Sequence, residues 1–197
     1  MRSSPVPQQF FVVGRLLTLK RKIPDPKAVI GTLTSGWDLH NRLQMRARED
    51  CFVLHFTKAN DRKNILTGGP WFYGRSLFFL AEYDGLEDVS FVPIVSFPIW
   101  VEIKGLLDAL MTDEAVEKVG RTLRQVEHVD KMNIRRGTRA RVRILQELSS
   151  PIKEAFGEMP FEFKSRRFPV KLNVKYDRTV GFCKICFCFG LLDFLVL

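Results

Sequence analysis

The sequence predicts an α+β fold made of two successive units. Short apolar segments bounded by glycine, proline and acidic turns alternate with a few segments whose apolar residues recur at helical spacing. The composition, with 46% hydrophobic and 27% charged residues, is that of a globular protein rather than a disordered chain. The 197 residues are enough for one large domain or two small ones.

Residues 10–84 are predicted to form the first domain, with the element order β-α-β-β-α-β. Its first strand is rich in apolar and β-branched residues and ends at the basic run Lys20-Arg21-Lys22. Its second helix ends at Gly68-Gly69-Pro70, a sequence that stops helices. The predicted elements are a strand over residues 10–19, a helix over 27–37, strands over 43–48 and 51–56, a helix over 59–67 and a strand over 75–83.

This order is typical of the ferredoxin-like split βαβ unit, which RNA-recognition motifs also use. Helices cover one face of such a sheet and leave the other face free. The covered face suits the large apolar residues of the third strand, which are Phe52, Leu54 and Phe56. The free face of that strand is left with Cys51, Val53 and His55. Because this set contains no stacking aromatic, the sequence does not predict base stacking on this sheet.

The rest of the chain is predicted to form a linker, a second unit and a tail. Residues 85–97 hold Glu87, Asp88 and Pro93, and Pro98 follows them, which favours a surface linker. Residues 98–178 are predicted to form a smaller, basic α+β unit, with a strand over 98–103, a helix from Thr112 to about Leu123, and strands over 138–145 and 168–176. Residues 179–197 hold an incomplete zinc knuckle and an irregular apolar tail.

The positive charge is concentrated in the last third of the chain. The formal net charge is +9, and residues 135–197 hold 13 basic and six acidic side chains. Several cations on one strand surface favour phosphate binding, because neutralising a nucleic-acid backbone releases its counterions. The alternative is a solvated sheet face whose charges prevent edge aggregation. The candidate nucleic-acid-binding residues are Arg135, Arg136, Arg139, Arg141, Arg143, Lys171 and Lys175.

The sequence does not predict an enzyme. His40, His55 and His128 are isolated, and no P-loop or dinucleotide-binding fingerprint is present. No signal peptide is visible, and the apolar tail over residues 187–197 is shorter than the ~20 residues that cross a membrane. The cysteine spacing is not that of an extracellular disulfide framework. We therefore expect an intracellular protein, in the nucleus or cytoplasm, without a membrane partner.

A zinc-knuckle motif begins near the end of the chain and is not completed. Cys183 and Cys186 match the first two ligands of a Cys-x2-Cys-x4-His-x4-Cys knuckle, but Leu191 and Val196 occupy the positions of the last two. A structural zinc site needs four nitrogen or sulfur ligands. We expect no cofactor, and zinc only if another residue completes the site. The pattern suggests a protein that is cut off, or read out of frame, inside its terminal zinc module.

Several motifs in the same order resemble a known family. They are Phe11-Val12-Val13-Gly14-Arg15, Ile65-Leu66-Thr67-Gly68-Gly69-Pro70-Trp71, Pro98-Ile99-Trp100-Val101-Glu102-Ile103-Lys104-Gly105-Leu106, Arg141-Val142-Arg143-Ile144, and Val174-Lys175-Tyr176-Asp177-Arg178 before Phe182-Cys183. The chain thereby resembles the plant retrotransposon-associated domain of unknown function (DUF4283) that precedes a zinc knuckle in proteins of non-LTR elements. The resemblance implies a Gag-like role in which the basic domain binds nucleic acid, and it implies zinc ligation for Cys183 and Cys186.

Together these observations predict a Gag-like protein that binds RNA or single-stranded DNA. The alternative is a protein-interaction or assembly module without nucleic-acid affinity of its own. Such a module would self-associate through the split βαβ sheet or through the strand that contains Trp100.

The incomplete knuckle leads to a prediction about metal. A chelator should leave the melting temperature of the protein unchanged, because two matching thiols cannot hold a structural zinc ion. Thermal unfolding with and without EDTA, together with metal analysis of the purified monomer, checks this. Near-equimolar zinc that is lost on Cys183→Ser would contradict the prediction, since it would require a ligand set that the sequence does not reveal.

Overall fold

A computed structural model describes residues 10–17, 24–49, 51–74, 76–152 and 155–177. The chain divides into two compact units, residues 1–94 and 95–197. Each unit contains one five-stranded antiparallel sheet, and a few helices accompany the sheets. The predicted α+β class is therefore confirmed.

The first unit begins with its central strand. In chain order its elements are β1 (Phe10–Leu16), α1 (Pro26–Gly36), β2 (Leu43–Arg48), β3 (Cys51–Phe56), α2 (Ala59–Gly68), β4 (Trp71–Tyr73), β5 (Ser76–Tyr83) and a 3-10 turn (Val89–Phe91). The strand order across the sheet is β2-β3-β1-β5-β4. The sequence did not predict β4, because three residues are too few to show a strand pattern.

The helix-covered face of the first sheet holds the main core of this unit. Val29 and Leu33 of α1 are buried in one cluster with Leu54 and Phe56 of β3. Phe52 belongs to the same cluster, so the face predicted for the large residues of β3 is confirmed. Burial of these side chains, rather than helix propensity alone, holds such short helices on the sheet.

Gly14 allows the closest contact in this core. A Cβ atom on Gly14 would lie 2.4 Å from Cζ of Phe78, a distance that no real side chain tolerates. Phe78 is buried, and its ring centroid lies 5.7 Å from that of Phe52 and 6.2 Å from that of Trp37. The ring has well-packed neighbours on its other sides, so β1 must carry glycine at this position.

Residues 89–92 lie across the opposite face of the same sheet. Arg15 of β1 donates hydrogen bonds to the carbonyl oxygens of Val92, at 2.8 Å, and Val89, at 2.9 Å. Val92 is buried in a small cluster with Val13 and Cys51. The middle of the predicted linker is thus held on the first sheet.

The second unit has the same number of strands in a different order. Its elements are β6 (Ser96–Lys104), a 3-10 turn (Asp108–Leu110), α3 (Asp113–Leu123), β7 (Val126–Val129), α4 (Lys131–Arg135), β8 (Ala140–Glu147), β9 (Ala155–Phe163) and β10 (Arg166–Tyr176). The sheet order is β7-β8-β6-β10-β9. The sequence did not predict β7, α4 or β9. The first two are very short, and β9 is an edge strand that contains Gly157 and Pro160.

Helix α3 covers one face of the second sheet. Thr112 caps it by accepting a hydrogen bond from the Ala115 N–H at 3.2 Å. Its buried side includes Val116 and Val119, and it packs on β8, β7 and β6. Gly120 permits close packing, because a Cβ there would lie 2.8 Å from Val142. The face of β8 that carries its odd-numbered residues is consequently turned away from α3.

The contact at Gly14 gives a prediction about stability. Gly14→Ala should lower the free energy of unfolding by about 1–3 kcal/mol, because the new methyl group displaces the packed ring of Phe78. Gly31→Ala is the matched control. Gly31 is exposed in α1, and a Cβ atom there would have no neighbour within 4 Å, so alanine should be neutral or stabilise the helix by up to about 1 kcal/mol. Urea denaturation of both variants measures the difference, and equal stabilities would contradict this account.

Candidate nucleic-acid interface

The predicted alternation on the basic strands is present in the structure. On β8, Ala140, Val142 and Ile144 are buried, and the arginines between them lie on the opposite face. Across the sheet, Arg141 of β8 pairs with Glu102 of β6, which in turn pairs with Lys175 of β10. Cross-strand partners share a face. The candidate residues of β8 and β10 therefore lie on one surface, which also carries acidic residues.

Arg141 is held by acidic partners within its own unit. Its guanidinium forms an ion pair with Asp177 and lies 3.8 Å from a carboxylate oxygen of Asp130. Its Cζ also lies 4.9 Å from the ring centroid of Trp100, a cation–π contact. The charge of Arg141 is balanced inside the protein, which leaves little of it for a phosphate.

Arg143 is buried and also has an acidic neighbour. Its Nε lies 3.4 Å from a carboxylate oxygen of Glu127. Burial lowers the pKa of Arg143, and the nearby charge of Glu127 acts in the opposite direction. A guanidinium enclosed in this way supports the sheet rather than a ligand. The sequence could not reveal this, because Glu127 lies on β7 and meets Arg143 of β8 only once the two strands pair.

The two candidate lysines are exposed but lie opposite carboxylates. Lys171 pairs with Glu158 of β9, and Lys175 pairs with Glu102 of β6. Opposite charges on cross-strand pairs reduce the local potential. The middle of this sheet face is therefore close to neutral.

The uncompensated cations lie at the turn between α4 and β8. Asp130 caps α4 by accepting a hydrogen bond from the Asn133 N–H at 3.2 Å, and Gly137 turns the chain with φ of +62°. This turn presents Arg135, Arg136 and Arg139, all exposed. None of the three has an ion-pair partner within the described part of the chain. We call these three residues the basic turn.

Lys104 adds a fourth cation, which is not among the candidate residues predicted from the sequence. It is the exposed last residue of β6, next to Ile103, which pairs with Ala140 at the start of β8. Continuing this register by one residue places Lys104 alongside Arg139. The alternation of β6 through Glu102 could have identified it. The basic turn and Lys104 together form what we call the basic end of the second sheet.

The described residues also bear on the expectations about metal sites, histidine side chains and membrane-spanning segments. Cys183 and Cys186 lie outside the described residues. Within the described ranges, no three histidine, cysteine or acidic side chains come together as a metal site, and no helix is long and apolar enough to cross a membrane. His128 packs edge-on against Trp100, with ring centroids 5.9 Å apart, and His55 lies against Phe11.

The comparisons with known proteins bear on the first unit. Residues 7–89 match a family model described as "Domain of unknown function (DUF4283)". The match includes every strand of the first sheet, from β1 to β5, and ends at the first residue of the 3-10 turn at Val89–Phe91. No curated protein and no solved structure matches the chain.

Two arginines of the second sheet should respond differently to truncation. Arg141→Ala should lower the free energy of unfolding by about 1–3 kcal/mol, because it leaves Asp130 and Asp177 without their shared cation. Arg139→Ala should change it by less than about 0.5 kcal/mol, since that side chain is exposed and unpaired among the described residues. Urea denaturation monitored by circular dichroism compares them. An equal loss of stability for the two variants would refute the assignment of Arg141 to a structural role.

Proposed function

We propose that the chain is a Gag-like protein of plant retrotransposon origin that binds RNA or single-stranded DNA through the basic end of the second sheet. The single observation that carries this proposal is the clustering of exposed cations there. Arg135, Arg136 and Arg139 fall within five residues of chain, and the register of β6 and β8 brings Lys104 beside Arg139. None of the four has an ion-pair partner among the residues that the structure describes.

The chemistry of this surface suits phosphate rather than base recognition. Arginine and lysine contact phosphate oxygens without reading sequence, and the affinity comes from counterion release. Each phosphate contacted on a single strand contributes about −0.7 to the slope of log K against log salt. Four contacts therefore give a slope of about −3.

The first unit supports the same proposal through its topology. Its central strands follow the order β2-β3-β1-β5, with β1 between β3 and β5 and both helices on one side. This order supports the proposal that the first unit is a ferredoxin-like split βαβ unit, the arrangement that RNA-recognition motifs also use. In this proposal β4 is an extra edge strand added to that unit.

The terminal cysteines have a limited part in this proposal. Cys183 and Cys186 belong to a degenerate zinc knuckle, and the affinity for nucleic acid arises without zinc. The match of residues 7–89 agrees with the family resemblance, and the proposed retrotransposon origin comes from that resemblance.

An assembly module is the second candidate function, and exposed apolar side chains favour it. Leu86 is 87% exposed and Phe91 is 75% exposed, both in the segment that follows β5. If these two side chains form one contiguous apolar patch, that patch would mark a contact site with another chain. This alternative expects oligomers that form with rising protein concentration and little affinity for nucleic acid, which analytical ultracentrifugation would detect.

Binding at the basic end should depend steeply on salt. Filter binding to a single-stranded oligonucleotide across a salt series should give a slope of about −3 for the wild type. Alanine substitution of Arg135, Arg136 and Arg139 should reduce the magnitude of this salt slope by about 2, since three phosphate contacts are lost.

The matched control removes the same charge elsewhere. Lys27, Lys58 and Lys63 are exposed in the first unit, and their triple alanine variant lowers the net charge equally. Its salt slope should stay close to that of the wild type. A salt response that is flat, or that both triple variants change equally, would exclude a localised phosphate site.

A further inference from the structure

The free face of the first sheet carries a row of aromatic rings. The strand register places His55 of β3, Phe11 of β1 and Tyr83 of β5 side by side. The ring centroids of Phe11 and His55 are 4.7 Å apart, and those of Phe11 and Tyr83 are 6.1 Å apart. On β3 alone this face shows no stacking aromatic apart from the His55 ring. Phe11 and Tyr83 join it only when the neighbouring strands pair.

A cavity of about 500 Å³ opens beside this row. The three rings form one wall, and Arg46 and Arg48 of β2 line it from the sheet edge. Both arginines are exposed, and they pair with Val53 and Cys51 of β3, which fixes them on the same face as the rings.

The segment after β5 closes the other side of the cavity and is fixed in place. Gly85, with φ of +83°, lies against Phe11 so closely that a Cβ would come within 2.8 Å of the ring. Further along, the hydrogen bonds from Arg15 hold residues 89–92 on the sheet. The cavity is thus formed before any ligand arrives, which reduces the entropy cost of binding.

The charges around the cavity are arranged unevenly. Asp88 accepts hydrogen bonds from the N–H and the hydroxyl of Ser90, at 2.9 and 2.7 Å, and these bonds together with the charge of Arg48 lower its pKa. Its carboxylate is thereby occupied within its own turn. Arg46 and Arg48 lie with Gln44 on the β2 side of the cavity, and the carboxylate-bearing Glu87 belongs to the segment after β5 on its other side.

We propose that this cavity takes one nucleobase of a single-stranded nucleic acid. The base stacks on Phe11 and His55, and the adjoining phosphate lies against Arg46 and Arg48. Gln44 and Glu87 are within the cavity lining and can hydrogen-bond the edge of the base. A planar ring that carries an anionic group matches an aromatic wall beside two arginines, and every base offers a face for stacking. The inference rests on the proposed nucleic-acid binding and adds a site in the first unit.

The test compares base-bearing with base-free strands. Fluorescence anisotropy measures the affinity of the full chain for a labelled 12-nucleotide oligouridylate and for an abasic strand of the same length and charge. The wild type should prefer the base-bearing strand by about 5-fold to 100-fold, the range measured for stacking of one base on an aromatic side chain. Phe11→Leu should remove this preference and leave the salt slope unchanged, because it removes no charge.

Two further variants keep the result interpretable. Phe91→Leu changes an exposed ring outside the cavity and should retain the preference. The double variant Arg46→Ala, Arg48→Ala alters only exposed positions of an edge strand, so it should stay folded even if Phe11→Leu unfolds the protein. It should weaken binding and reduce the magnitude of the salt slope by about 1.

The outcomes separate this inference from the proposed function. Salt-dependent binding with equal affinity for both strands would overturn the nucleobase site and leave the phosphate site standing. An unchanged preference in folded Phe11→Leu would also overturn it. No binding of either strand would instead refute the proposed function itself.

Discussion

The first unit depends on the close contact between Gly14 and Phe78 in the middle of its sheet. Because Gly14 has no side chain, the Phe78 ring can lie against β1 and contact Trp37, which in turn packs edge-on against Trp71 with centroids 5.4 Å apart. The next residue, Arg15, points to the other face and holds residues 89–92 there. Two neighbouring residues of one strand thus organise both faces of the sheet, and the free part of the second face is confined to the end of β1 that carries Phe11.

The second unit shows that a basic strand is not by itself a binding surface. Arg141 and Arg143 occupy alternate positions of β8, as the basic residues of a phosphate-binding strand would. Carboxylates from neighbouring elements nevertheless balance their positive charges. Partly buried ion pairs of this kind position side chains and cost free energy when one partner is lost. The cations that project from the turn before β8 face no such partners among the described residues. The difference between a structural and an available arginine is therefore decided by tertiary contacts.

The parts of the fold that the sequence predicted are those with strong local signals. The hairpin of β2 and β3 alternates clearly around an acidic turn, and α3 has a capping threonine with acidic residues behind it, so their limits were predicted closely. β4, β7 and α4 have three to five residues each and leave no pattern to detect. The surroundings of the candidate site residues could not be predicted for a related reason. Whether Arg141 can bind a ligand depends on its pairing with Asp177, which is 36 residues away in the sequence. The row of aromatic rings on the first sheet forms only when three strands pair in the observed register.

The motifs that carry the family resemblance are explained by packing rather than by binding. In the Gly-Gly-Pro-Trp motif, the Trp71 indole N–H donates to the carbonyl oxygen of Ile65 at 2.7 Å, and a Cβ on Gly68 would lie 2.8 Å from the Trp71 ring. In the Trp-Val-x-Ile-x-Gly-Leu motif, Gly105 has φ of +89°, and a Cβ there would lie 2.4 Å from the Lys171 carbonyl oxygen. Such residues are required wherever this fold forms, whatever it binds. A sequence match at these residues therefore indicates the fold and not the function. Function is better inferred from exposed residues that the fold does not require, such as those of the basic turn.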